Sequence, residues 1–181
     1  MSIYHPLDTT GKAGDDGKRA ELSFADRFYK KYGVKLQKTD SYRDCVEHVD
    51  YDGAFTGKDG ELHISSWEVK ALKRGQRHDD DYLENQIWVE FVTKGNLGWL
   101  YGKADWIAFE VEYNGKFVCV NRKQLLEYCE IHCHPPFVTD PKQAYYRFYV
   151  RKQPNQKGET VFDIVSMIEK QVIFDLEHRE V

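Results

Sequence analysis

The sequence predicts an α/β chain, and three observations carry that expectation. Residues 18–32 hold a helically spaced stripe that stops at Gly33. Two pairs of strand-like segments are joined by residues suited to tight turns, Gly57-Lys58-Asp59-Gly60 and Asn114-Gly115. A short helix at residues 122–128 and a strand-like segment at 144–151 follow the second pair. At 181 residues the chain fits one domain, long enough to bury roughly two-thirds of its unfolded surface.

The first 17 residues are polar and rich in Gly and Asp, and read as a flexible lead-in to a single domain spanning 18–181. On the first helix, Ala25, Phe28 and Tyr32 form the stripe expected to face the core. Glu21 lies on that stripe one turn earlier, either as a partner of the helix N-terminus or as a carboxylate directed at a site. Residues 34–36 read as a short strand, 41–44 as a connection and 46–56 as a strand. Residues 84–93 fit helix or strand equally, and the tail, 161–176, mixes both characters.

Glu68-Val69-Lys70 stands out, because it sits in an otherwise apolar run from Leu62 to Leu72. Strand alternation places Glu68 and Lys70 on one face and Trp67, Val69 and Ala71 on the other. A strand apolar on both faces belongs inside a sheet, where an ionised group is costly unless paired or bound to a metal. A three-residue loop, Lys58-Asp59-Gly60, would put Gly60 at the left-handed position of a bulged turn and set Asp50 opposite Glu68 and Asp52 opposite Ser66. A loop one residue shorter or longer would turn both aspartates to the other face.

Carboxylates so placed can hold one or two Mg²⁺ ions, with Mn²⁺ as a substitute, and metal-assisted phosphodiester cleavage needs such a centre. Asp50 and Glu68 are the expected ligands, the Val69 carbonyl a third, and Glu21 an auxiliary acid. Lys70 is expected to position the attacking water and stabilise phosphate charge; acting as a base would require a lowered pKa.

An acid on the first helix, an acid on the next hairpin strand and Glu-x-Lys together resemble the PD-(D/E)XK nuclease superfamily. Gly17-Lys18-Arg19-Ala20-Glu21 and Val49-Asp50-Tyr51 through Glu68-Val69-Lys70 are most similar to its Holliday-junction-resolvase branch and related phage-encoded nucleases. Gly102-Lys103-Ala104-Asp105-Trp106-Ile107 resembles the later core strand of such enzymes, so the likeness spans residues 17–120. The chain lacks the Pro before the Asp, and Asp50 and Asp52 compete for one role, with the hairpin register favouring Asp50. The resemblance implies a restriction-endonuclease-like core, a central mixed β-sheet flanked by helices, and Mg²⁺-dependent cleavage of DNA. For a junction substrate it further implies a homodimer.

Lys73, Arg74 and Arg77 follow the strand of Glu68 and Lys70 and are candidates for holding DNA phosphates. The resemblance adds Gln86, as a polar helix residue near the scissile phosphate. Trp88, Trp99, Tyr101 and Trp106 are candidate base-stacking groups, with core packing the stronger expectation. Cys129, His132, Cys133 and His134 are potential zinc ligands, yet zinc sites draw on two separated pairs, and adjacent His132 and Cys133 cannot readily share one ion.

The formal net charge of −4 excludes a protein that coats nucleic acid through bulk charge, while leaving room for an acidic metal site with a basic rim. Cys45, Cys119, Cys129 and Cys133 form no disulfide framework, so a reducing, cytoplasmic setting is expected. No apolar run reaches the roughly 20 residues of a membrane span. A non-catalytic protein on the same fold, binding nucleic acid or inhibiting another protein, is the alternative reading.

Overall fold

The computed structural model describes residues 12–56, 60–73, 83–154 and 158–181. Helix α1 (Lys12–Tyr32) starts six residues before the predicted Lys18 and ends at Gly33, whose φ of +71° only glycine adopts readily. Its buried stripe is Ala20, Phe24 and Phe28, and Ala25 and Tyr32 are only half-buried beside it. The helix is therefore rotated from the expected stripe, because Phe24 finds aromatic partners in the sheet below. Its ring centroid lies 5.4 Å from Phe117, 6.4 Å from Trp67 and 6.5 Å from Tyr51.

Residues 34–36 are not a strand; β1 (Gln37–Lys38) comes just after them. The segment 46–56 is a strand only in its second half. Arg43–Glu47 forms a π-helical turn, His48 takes a left-handed φ of 54°, and β2 (Tyr51–Thr56) begins beyond them. Local bonds take these residues out of the sheet: Asp40 accepts the Arg43 N–H at 2.9 Å, and the Val49 N–H returns to the Arg43 carbonyl at 3.0 Å. Strand β3 (Leu62–Lys70) then pairs antiparallel with β2, Tyr51 opposite Trp67 and Asp52 opposite Ser66. This is the predicted register. Gly60 has a φ of +81°, as the bulged turn requires; residues 57–59 lie outside the described residues.

The ambiguous segment 84–93 is a strand, β4 (Gln86–Thr93), followed by β5 (Asn96–Leu97) and a 3₁₀ turn, Trp99–Tyr101. Strands β6 (Trp106–Glu110) and β7 (Phe117–Asn121) form the second predicted hairpin, with Asn114 at a φ of 51°. Asn121 caps α2 (Arg122–His132), accepting the Lys123 and Gln124 N–H groups. Strands β8 (His134–Val138), β9 (Arg147–Pro154) and β10 (Thr160–Glu169), short helix α3 (Val172–Asp175) and β11 (His178–Glu180) complete the chain.

The protein is α/β, with two mixed sheets flanked by helices. Among the described residues the order of the first is β1-β2-β3-β6-β7-β11, and that of the second is β5-β4-β10-β9-β8. In the first, β3 and β6 run parallel, Glu68 beside Ile107 and Lys70 beside Phe109. Alternation divides its side chains between two cores. Trp67, Val69, Trp106, Ala108, Phe117 and Cys119 pack under α1. Ile107, Phe109, Val118 and Val120 join Ile87, Val89 and Phe91 of β4 and Leu125 of α2 in the core between the sheets. Glu68 and Lys70 share the face of Ile107 and Phe109, so they point toward the second sheet. No described helix is long and apolar enough to cross a membrane.

Candidate functional site

Glu68 is 5% exposed, because β3 lies inside the first sheet and its inner face is covered by the second. Its Oε1 accepts a hydrogen bond from the Lys70 ammonium, two residues along the same strand face. Its Oε2 is buried and finds no hydrogen-bond partner among the described residues. A buried, half-satisfied carboxylate disfavours its own charge. Burial accordingly raises the Glu68 pKa from 4.5 to about 7, with Lys70 opposing the rise and Asp50 adding to it. Burial works against the Lys70 charge too, but Glu68, Glu90 and Asp50 outweigh it and hold its pKa above the ordinary lysine value. Lys70 is therefore a cation at neutral pH. Its Nζ sits 5.4 Å from the centre of the Trp99 ring.

Asp50 lies one residue before β2, and the register continues through it: its N–H donates to the Trp67 carbonyl at 2.8 Å. It is 4% exposed, and its Oδ2 accepts the Val69 N–H at 2.7 Å. The two competing aspartates have different surroundings. Asp52 is tied to the Arg43 guanidinium at the partly exposed edge. Asp50 faces inward, beside the Glu68 strand. Val69 meets Asp50 through its N–H.

Lys38, on β1, was not foreseen by sequence reasoning. Its Nζ lies 2.8 Å from Glu21 Oε2, 2.9 Å from Asp50 Oδ1 and 3.4 Å from Asp44 Oδ2. One ammonium thus gathers carboxylates from α1, the π-helical turn and the start of β2. Because α1 starts at Lys12, Glu21 lies in the third turn of the helix and is not a partner of its N-terminus; its carboxylate instead meets Lys38. Burial raises the Glu21 pKa despite the Lys38 hydrogen bond. The Lys38 pKa moves upward, since Glu21 and Asp50 together outweigh its own burial. No sequence signal marked Lys38 or Asp44, which reach the site from a two-residue edge strand and a local turn.

The other candidates separate. Lys73 follows β3 closely and is exposed, with its carbonyl accepting the Leu83 N–H at 2.8 Å. Arg74 and Arg77 lie outside the described residues. Gln86 opens a strand rather than a helix, because residues 86–93 complete the second sheet alongside β10. It sits opposite Glu169 and lines a surface cleft of about 510 Å³ with Lys116, Tyr145 and Phe174, and neither Glu68 nor Lys70 lines that cleft. Trp99 and Trp106 are core residues, Trp88 is half-buried against Tyr149 at 6.1 Å, and the exposed Tyr101 donates to Glu130 at 3.0 Å. Cys129 and Cys133 are buried at the end of α2, whereas His132 and His134 are exposed, so the four potential zinc ligands diverge.

The acidic site holds Glu21, Asp44, Asp50 and Glu68 against Lys38 and Lys70, an excess of two negative charges if all are ionised. That excess, the oxygen-only donor set and the unsatisfied Glu68 Oε2 fit a hard divalent cation. Among the described residues, no group of three or more His, Cys, Asp or Glu side chains is arranged to hold an ion as the side chains stand. Fold and site together define a two-sheet α/β protein with a buried Glu68, paired with the half-buried Lys70, beside an acidic cluster. No protein-family model matches this chain, nor does any curated protein or solved structure.

Proposed function

We propose that the chain is a metal-dependent endonuclease of the PD-(D/E)XK kind, hydrolysing DNA phosphodiesters with Mg²⁺ or Mn²⁺ and acting on branched substrates such as four-way junctions. The observation that carries this reading is the Glu68 carboxylate, buried inside the protein with one oxygen on Lys70 and the other unsatisfied. Asp50, Glu68 and the Val69 carbonyl would hold the metal, and a metal so held supplies Lewis acidity to the phosphate and lowers the pKa of water. Lys70 acts as a fixed cation: with its pKa raised, it orients the attacking water and neutralises charge on the phosphoryl oxygens and does not take up a proton. Lys73, Arg74 and Arg77 hold phosphates of the flanking backbone.

The test is cleavage of labelled duplex, single-stranded, flap and four-way-junction DNA in Mg²⁺, Mn²⁺ or EDTA. Metal-dependent cutting that is lost in both Glu68→Ala and Lys70→Ala is expected. Full activity in either variant, or no cutting of any substrate, overturns the reading.

One observation favours a second reading, a non-catalytic protein on this fold that binds nucleic acid or inhibits another protein. Lys38 already neutralises part of the acidic cluster. On that reading the site is a structural ion-pair network, and neither metal binding nor cleavage accompanies it.

A further inference from the structure

Lys38 has an unusual position for a residue on a two-residue edge strand. Its Nζ is shared by Glu21 and Asp50 at hydrogen-bond distance and by Asp44 at 3.4 Å. These three carboxylates come from three separate elements, and among the described residues no other cation is recorded in an ion pair with any of them. Glu68, whose Oε2 is buried and without a hydrogen-bond partner among the described residues, feels the charges of both Asp50 and Asp44. The ammonium thus stands among more carboxylates than the two lysines, Lys38 and Lys70, can pair one to one.

We propose that Lys38 is an internal counter-cation which divalent metal must displace, so that its side chain sets the threshold for loading the site. The inference rests on the metal-dependent reading given above. Mutual repulsion would otherwise spread Glu21, Asp44 and Asp50, and the single charge of Lys38 keeps them gathered. A divalent ion brings twice that charge to the same oxygens and accepts Glu68 as well. Displacement is open to Lys38. Its side chain is 40% exposed, its strand contributes only two residues to the sheet edge, and its Nζ already lies 5.2 Å from the centre of the Tyr51 ring, a contact that does not depend on the carboxylates. Lys70 is the more enclosed of the two lysines, its side chain 23% exposed on the inner strand β3 beside Trp99.

Two measurements test the proposal. In the first, Mn²⁺ affinity is determined by calorimetry for the wild type, Lys38→Met and Glu68→Gln, each also melted in EDTA and in saturating Mn²⁺. Lys38→Met is expected to bind Mn²⁺ about tenfold more tightly or better, to melt lower in EDTA and to recover with metal. In the second, the wild-type protein is treated with an amine-acylating reagent and each lysine is followed by mass spectrometry, so no variant need fold. Lys38 is expected to react several-fold faster with Mn²⁺ than with EDTA, while Lys70 stays protected.

Equal or weaker Mn²⁺ binding by Lys38→Met, or unchanged Lys38 acylation in a wild-type protein that does bind Mn²⁺, overturns the displacement and leaves the metal site standing. Absence of Mn²⁺ binding in both wild type and Lys38→Met overturns the metal-dependent reading and the displacement with it. Binding that survives undiminished in Glu68→Gln places the metal elsewhere and overturns both.

Discussion

Replacing Glu68 by Gln tests the buried carboxylate directly, through stability and without any substrate. Glu68 is raised from 4.5 to about 7, chiefly by burial. In metal-free protein between those pH values, the folded state holds a proton that the unfolded chain has lost. Stability therefore falls as pH rises through this window; below it both states are protonated, and above it both are ionised. The full difference corresponds to about 3 kcal/mol, of which about 2.5 kcal/mol falls between pH 5 and pH 8. Gln keeps the shape and can still accept the Lys70 hydrogen bond, yet it does not titrate. Urea denaturation in EDTA at pH 5 and pH 8 measures the effect as a difference between the two proteins, which cancels the other titrating groups. The stability of Glu68→Gln relative to wild type is expected to improve by about 2.5 kcal/mol from the lower to the higher pH. Saturating Mg²⁺ should shrink that gain, since a bound cation favours the ionised carboxylate. Parallel pH profiles in EDTA would refute the reasoning and show Glu68 to be ionised at both pH values.

Two further predictions concern the scaffold around the site. Glu110, at the end of β6, has a fully buried side chain that accepts from Arg19 at 2.5 and 2.7 Å, from the Leu72 N–H at 3.0 Å and from the Asn114 N–H at 2.9 Å. Arg19→Met should cost about 3 kcal/mol by leaving that carboxylate without its cation. Burial opposes the Glu110 charge, but Arg19 and the two backbone donors hold its pKa below the usual carboxylate value. The wild-type advantage over Arg19→Met is accordingly expected above the ordinary glutamate pKa of 4.5 and should fade as pH falls through the lower folded value, as urea denaturation at pH 7 and pH 3 would show. Phe24→Ala should cost about 4 kcal/mol, because the ring is fully buried among Phe28, Tyr51, Trp67 and Phe117, and a loss under 1 kcal/mol by thermal denaturation would contradict that packing.

The Glu-x-Lys strand, the hairpin before it and the register that sets Asp50 opposite Glu68 were legible because each depends on neighbours in sequence. Turn chemistry at Gly60 sets the pairing, and strand alternation then assigns every side chain to a face. The second hairpin and the helix stop at Gly33 were legible for the same reason. The strand character of residues 84–93 was not, since Ile87-Trp88-Val89 suits either element locally and only pairing with β10, more than 70 residues away, decides it. Nor was the rotation of α1: the sequence pointed to Ala25, Phe28 and Tyr32, and the aromatic cluster beneath Phe24 turns the helix to bury Ala20, Phe24 and Phe28 instead.

What the sequence by itself determined is a polar pair in an apolar strand and an aspartate to face it. What only the tertiary structure decided is how that site is charged. Lys38, Glu21 and Asp44 come from an edge strand, a helix and a π-helical turn, and no spacing rule links them. Their meeting depends on where α1 docks and where the chain leaves β1. The burial that raises Glu68 depends on a second sheet whose strands lie elsewhere in the chain. Residue types are local properties, whereas desolvation and charge coupling depend on everything within a few ångströms, which folding alone assembles.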